Sequence, residues 1–348
     1  MSKILTKISF KKKLPKIEII NKSKTSKQLL FIVDQTVLKK NKSVALWIKN
    51  QPFIYSVEAG ENLKNINNLP FHLNSIFNLL GNHAQRNLTL VAIGGGTVGD
   101  FAGFIASVFK RGINLIQIPS TWLAVIDSAH GGKNGLNLGD AKNQIGTIYH
   151  PQKVFIIEGV LKSQSSLQLE DSLGELYKMA LLTSDRWGQN LINLKKINKI
   201  YLNQYLPLVI KEKYKFVKLD PNETRGIRQF LNLGHTFGHV LELERQIPHG
   251  RAVAIGLKFA LQFSFDKGLL KSKTWKMIQT TPMYQFLCSK TVAPISEIQF
   301  TKILLQDKKK ASIDSIQFVF LKDFGKPILN KISIEELITA GKKYDFIA

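Results

Sequence analysis

Cysteine is nearly absent from this chain of 348 residues, where Cys288 stands alone. A single thiol closes no intramolecular disulfide, and a reducing cytoplasm is the expected compartment. Long apolar runs are missing too. None approaches the roughly 20 residues that cross a bilayer, and the opening MSKILTKISFKKKLPKIEII has no continuous apolar stretch of a secretory signal. No membrane partner is expected. Arginine is the third scarcity, supplying only seven of the 49 basic residues. Base-edge reading leans on the bidentate guanidinium fork, and no basic stripe interleaved with aromatics is found. The formal net charge of +24 therefore reads as a solvated, lysine-biased surface, and no nucleic-acid partner is expected.

What remains is a globular composition, 44% hydrophobic and 21% charged. A single core seldom grows beyond about 250–300 residues, so two domains are expected. Short β-like runs at 29–34, 44–48, 88–93, 114–119 and 154–157 alternate with helical spacing at 72–80 and 97–110. That alternation predicts a mainly parallel sheet covered on both faces, a Rossmann-like α/β domain over 1–158. From about residue 160 the pattern changes to helix-compatible segments at 166–182, 204–219, 234–245 and 250–268, with IQFVFL (316–321) as the strand-like exception. A mostly α-helical domain over 159–348 follows.

Several loops carry candidate chemistry. The run LTLVAI ends in GGGTVGD (94–100), and Gly94, Gly96 and Gly99 satisfy G-x-G-x-x-G between a strand and a helix. Glycines there let backbone N–H groups approach a phosphate at a helix N-terminus; a tight strand-to-helix turn without a ligand is the plain alternative. The dinucleotide fingerprint also needs an acid about 20 residues on, and INLIQIPS (113–120) offers none. Asp34 and Glu61, the latter in EAGENLK with Lys64, are earlier acids able to take a ribose, or else an N-cap and a surface charge. The stretch IDSAHGGKNGLNLGDAKNQIG (126–146) sets Lys133 after paired glycines and Lys142-Asn143 ten residues on. Cations on such loops suit phosphate or carboxylate, although incidental lysines would look the same.

Two further segments bear on metal binding. In SLGELYKMALL (172–182), Glu175 and Lys178 sit side by side at i, i+3 spacing among apolar residues. A carboxylate there is costly to bury unless paired or coordinated. It is either half of a helical ion pair or a metal ligand. LNLGHTFGHVLELERQIPHG (231–250) holds His235, His239 and His249, three of the seven histidines. His235 and His239 share a helix face, but Thr236 stands where a zinc protease of this spacing needs Glu, so peptide hydrolysis is not expected. Two His and one carboxylate with an open fourth position would make a catalytic zinc site.

These pieces, in this order, resemble the 3-dehydroquinate synthase family of the sugar-phosphate cyclases, from Asp34 to the DKK at 307–309. The most specific stretches are GGGTVGDFAGFIASVFKRG, IPSTWLAVIDSAHGGK, AKNQIG, GELYK and LNLGHTFGH with a following HG. The resemblance implies one zinc ion, or cobalt, held by Glu175, His235 and His249. It implies NAD contacts from Asp34, Glu61, Lys64, Gly95, Gly96, Asp100, Ser120, Thr121, Leu123, Asp127 and Ser128, with Lys142 near both ligands. Substrate phosphate and carboxylate would be held by Lys133, Asn143, Lys178, Lys213, Arg228, Asn232, His239, Lys308 and Lys309. Arg111 matches a residue that reaches the neighbouring subunit's site, which implies a homodimer. The implied reaction, in the shikimate pathway, converts 3-deoxy-D-arabino-heptulosonate 7-phosphate to 3-dehydroquinate and phosphate. It runs by transient oxidation, phosphate elimination, reduction, ring opening and aldol closure, leaving NAD unchanged.

The sequence departs from the family pattern at a few positions. Arg251 stands where Glu usually follows His249-Gly250, SQSSLQLED (163–171) replaces Thr-Leu-Pro-x-Arg, and Ala129-His130 and Asn134-Gly135 flank the Gly-Gly-Lys. No implied ligand or cation is lost. A sister cyclase acting on sedoheptulose 7-phosphate, an aminated analogue or glucose 6-phosphate, and a metal-dependent polyol dehydrogenase, are the rival readings.

Overall fold

In the run LLFIVD every residue is buried, with Leu30 and Ile32 in one apolar cluster and Phe31 and Val33 in another. Alternate side chains of a strand point to opposite faces, so a strand apolar throughout needs cover on both. The computed structural model, which describes residues 6–20, 28–139, 141–306, 310–312 and 314–348, supplies that cover. Strands β1 (Lys7–Lys11), β2 (Leu29–Asp34), β3 (Ile54–Val57), β4 (Thr89–Gly94) and β5 (Asn114–Pro119) precede a hairpin of β6 (Lys133–Leu138) and β7 (Ala141–Ile148), and β8 (Lys153–Ile157) follows. The main sheet has the order β1-β8-β5-β4-β2-β3, and each pairing is parallel. Successive strands run one way from β2 to β3 and the other way from β4 through β5 to β8. The switch point falls between β2 and β4, the crevice where open α/β sheets bind ligands.

The chain divides into two compact units, Met1–Gln168 and Leu169–Ala348. The first contains the parallel sheet and the β6–β7 hairpin. The second is mostly helical, with helices Leu173–Leu182, Lys199–Leu219, His235–Arg245 and His249–Asp266 among its longer ones. An antiparallel sheet in the order β11-β10-β9 (Pro327–Ser333, Ser315–Leu321, Lys310–Ser312) completes it. Phe237, Phe259 and Phe300 stack in its core, with Phe237 and Phe259 ring centroids 3.7 Å apart.

The α/β and helical halves expected from patterning are both present. One strand expectation fails: VALWI lies in the helix Lys42–Ile48. Asn41 caps it by accepting the Val44 N–H, and Val44 and Ile48, four apart, are buried while Leu46 is 70% exposed. Five apolar residues fit either period; the cap and the i, i+4 burial decide. The actual neighbour of β2 on that side is β3, IYSV.

Candidate active site

In the first unit, the candidate nucleotide residues gather at the carboxyl ends of β2, β3, β4 and β5. Asp34 closes β2 and accepts the Thr36 N–H at 2.7 Å, so it caps the next helix as well as flanking the switch point. Gly94 ends β4, and Gly95, which has no side chain to cap with, opens the helix Gly96–Val108. The first N–H groups of a helix are where an anion binds readily. The cradle has no room for side chains: a Cβ on Gly94 would lie 2.5 Å from Val98 Cβ, and one on Gly96 3.0 Å from Ser128 Oγ. A small concavity opens here, lined by Gly94, Gly95, Gly99, Gln117 and Ser128 among others. Ser120 is buried at the end of β5, and Thr121 accepts the Ala124 N–H. Leu123 and Asp127 fall at a π-helical turn (Ala124–Ser128), a distortion common at functional sites.

Lys64 joins this group from a short 3₁₀ turn, Glu61–Lys64. Its buried ammonium donates to Asp100 Oδ2 at 2.7 Å and to Asn143 Oδ1 at 2.6 Å. Burial pushes the Asp100 carboxyl up to about 6 despite the Lys64 charge beside it. Lys133 and Lys142 lie on the β6–β7 hairpin with Asn143. Arg111 is exposed just after the helix Gly96–Val108, in a turn where it and Lys110 both adopt positive φ, 63° and 51°.

In the second unit, Glu175, His235 and His249 converge. Glu175 Oε1 lies 3.2 Å from His235 Nε2 and 3.3 Å from His249 Nε2. Adjacent ligands in a tetrahedral set with bonds of about 2.0–2.1 Å stand roughly 3.3–3.4 Å apart. The outer imidazole nitrogens are committed elsewhere, His235 Nδ1 facing the Leu233 carbonyl at 3.2 Å and His249 Nδ1 facing Glu242 Oε2 at 2.7 Å. This arrangement holds each ring as a metal ligand would be held. Glu175 is fully buried; its Oε2 lies 2.5 Å from Lys178 Nζ but without the alignment of a hydrogen bond. One Glu175 oxygen thus faces Lys178 and the other the two imidazoles. Burial would raise its carboxyl, but Lys178 and the two imidazoles hold it well below the usual range. Burial and Lys178 push His235 down to about 3. Burial opposes charge on His249 too, yet the bonds to Glu175 and Glu242 carry it up to about 10. The donor set fits a divalent cation.

A second trio, His239, Glu242 and His249, also has ligand atoms within 4.8 Å of one another. We favour the first because it is more buried and because two imidazole nitrogens converge on one carboxylate oxygen. His239 stands beside the trio, its ring centroid 5.1 Å from that of His235. Glu242 was not among the residues singled out from sequence. Its only signal is the shared helix face, three residues beyond His239.

Glycines explain how three helices bring these ligands together. A Cβ on Gly174 would meet the Gly250 carbonyl oxygen at 2.0 Å, and one on Gly250 the Asp171 oxygen at 1.7 Å. Gly234, at φ +81°, would meet Leu257 N at 2.9 Å, and Gly256 the Gly234 oxygen at 1.9 Å. Each metal-ligand candidate therefore has a chain neighbour that must lack a side chain.

Buried cations lie in the same unit. Lys178 and Lys213 are buried on helices Leu173–Leu182 and Lys199–Leu219, and Arg228 and Asn232 sit on the 3₁₀ turn Ile227–Asn232 that packs against both. Asp220 fixes that turn by accepting N–H groups of Thr224 at 2.8 Å, Arg225 at 3.1 Å and Arg228 at 3.4 Å. Lys308 and Lys309 lie outside the described residues. The unusual Arg251 is exposed, and its charge partly offsets the rise that burial imposes on Asp171.

Comparison with known proteins agrees with this geometry. Residues 54–171 match the model of the 3-dehydroquinate synthase N-terminal domain, and residues 172–310 that of the C-terminal domain. The chain belongs to the 3-dehydroquinate synthase family. A 3-dehydroquinate synthase of Staphylococcus epidermidis is 36% identical over 327 residues, 91% of this chain and 90% of that protein. Two solved structures share the fold. One is a 2-deoxy-scyllo-inosose synthase complexed with carbaglucose-6-phosphate, NAD⁺ and Co²⁺ (TM-score 0.78, 23% identity, 97% of this chain and 96% of that one). The other is a 2-epi-5-epi-valiolone synthase from Streptomyces hygroscopicus with NAD⁺ and Zn²⁺ (TM-score 0.81, 19% identity, 99% and 98%).

Proposed function

We infer that this enzyme is a 3-dehydroquinate synthase, a phosphate-eliminating lyase that converts 3-deoxy-D-arabino-heptulosonate 7-phosphate to 3-dehydroquinate and phosphate. The observation that carries this reading is the convergence of Glu175, His235 and His249 in a chain whose two halves match both domains of one family. NAD and a divalent metal, zinc or cobalt, are its cofactors. Bound there, the metal would supply Lewis acidity toward a substrate hydroxyl, and NAD would supply a reversible hydride acceptor.

The chain's own residues do the rest. Glu175, His235 and His249 hold the metal, oriented by Leu233 O and Glu242. Asp34, Glu61, Lys64, Gly95, Gly96, Asp100, Ser120, Thr121, Leu123, Asp127 and Ser128 bind NAD, and Lys142 lies near both ligands. Lys133, Asn143, Lys178, Lys213, Arg228, Asn232, His239 and the Lys308-Lys309 pair bind the two anionic ends of the substrate and orient the carbon between them. Arg111, exposed on its strained turn, reaches the site of a second copy in a homodimer. The cytoplasm is the compartment of this reading.

The test is phosphate release from purified protein. Release from 3-deoxy-D-arabino-heptulosonate 7-phosphate, dependent on NAD and abolished by a chelator, is expected. Release from sedoheptulose 7-phosphate or glucose 6-phosphate instead would reassign the enzyme to a sister cyclase. Net NADH absorbance from a simple polyol would make it a dehydrogenase.

A further inference from the structure

Asn137 is a buried amide whose two ends face two different candidate subsites. Its Nδ2 donates to Glu61 Oε2 at 2.8 Å, and its Oδ1 accepts the Asn143 backbone N–H at 2.9 Å. It sits where the β6–β7 pairing shifts register between Leu136 and Leu138, and its backbone bridges Asn65, just beyond the Glu61–Lys64 turn. The circuit closes through Lys64, which bonds both Asp100 and the Asn143 side chain. Asn143 itself is held at φ 54°, a left-handed conformation that Asn adopts more readily than most non-glycine residues, and local bonds constrain it there. The bond from its N–H to Asn137 is one of those constraints.

We propose that Asn137 is a positioning residue that aims Glu61 at the nucleotide ribose with one end of its amide and Asn143 at the substrate anion with the other. The proposal rests on the function inferred above and adds a residue to it. The chemistry suits an amide, which holds a donor and an acceptor on two separate atoms of one short stem and so faces a carboxylate and an N–H together. An aspartate would keep the acceptor for Asn143 but turn a second carboxylate oxygen toward Glu61. An alanine would remove both ends.

Isothermal titration of NAD and steady-state kinetics separate the two arms. Asn137→Asp should weaken NAD binding about tenfold, the scale of losing one hydrogen bond to a charged group. At saturating NAD its KM for the heptulosonate phosphate should stay within about twofold of the wild type. Asn137→Ala should impair both. Because Asn137 acts through Glu61, Asn137→Asp and Glu61→Gln should be non-additive, the double variant binding NAD no worse than the weaker single one. NAD affinity unchanged in Asn137→Asp, additive losses in the cycle, or equal losses in both arms with a lowered melting temperature would overturn the proposal. Wild-type protein that binds no NAD would instead refute the function on which it rests.

Discussion

Replacing Glu242 tests whether the metal centre has been assigned correctly. Glu242 Oε2 faces His249 Nδ1 at 2.7 Å, with both side chains more than two-thirds buried. Glutamine keeps an acceptor of the same reach but loses the charge. Charge-assisted hydrogen bonds contribute about 1.5–3 kcal/mol against about 1 for neutral ones. The difference, roughly 1–1.5 kcal/mol, is about a tenfold loss of metal affinity, inside the range of 10–100-fold found for partners of metal-bound His. Alanine, which leaves the Nδ1 proton without its acceptor, should fall toward the hundredfold end. Competition against a chromophoric chelator measures both without requiring turnover. Affinity unchanged in Glu242→Gln would mean that Glu242 does not orient His249. A loss beyond about a thousandfold would make Glu242 a ligand and move the ion to the His239, Glu242 and His249 set.

Gly250→Ala drives a Cβ to 1.7 Å from the Asp171 carbonyl oxygen, so denaturant unfolding should show a cost of about 1–3 kcal/mol, together with weaker metal binding as His249 shifts. Burial pushes the Asp100 carboxyl up from its ordinary 3.8 to about 6; folding favours the protonated form, and that advantage is lost as pH rises from about 4 to 6. Relative to the wild type, the stability of Asp100→Asn should therefore rise between about pH 4 and 6, by up to about 3 kcal/mol, on top of a constant cost for leaving the buried Lys64 ammonium without its carboxylate, and a flat or opposite trend would contradict the burial argument. Asp220→Ala strips three backbone N–H groups of an acceptor and should cost about 1–3 kcal/mol while raising the KM for substrate through Arg228. The Asp220 carboxyl is held below its usual range, despite burial, by those backbone bonds. Its contribution is present above about pH 4 and fades as pH falls through the lower folded value, which acid titration of the wild type and variant would reveal.

Much of this was legible before any coordinates. LLFIVD, LTLVAI, NLIQIP and VFII have nowhere to sit but a sheet covered on both sides, and each is a strand of it. VALWI fits a strand as well as a helix, because periodicity over five residues does not separate the two, and only the fold makes it helical. The edge strands Lys7–Lys11 and Ile54–Val57 are not legible in the sequence, because partly exposed strands lack the continuous apolar signal. Glu242 and Asn137 escaped because a side chain that acts through another has no spacing of its own. Glu242 is recognisable only from where His249 Nδ1 points, and Asn137 only from the register shift that turns it toward Glu61.

The sequence by itself determined the parallel sheet, the helical second half, the glycine turn and the kinds of side chain available for chemistry, because all of these follow from local pattern and residue type. Tertiary structure alone decided which atoms meet. His235 and His249 are separated by fourteen positions and Glu175 lies sixty residues earlier, so no local rule brings their lone pairs together. Helices packed so closely that Gly174, Gly234, Gly250 and Gly256 have no space for a Cβ do bring them together. Close packing is a property of three dimensions, and it turns a carboxylate and two imidazoles into one site.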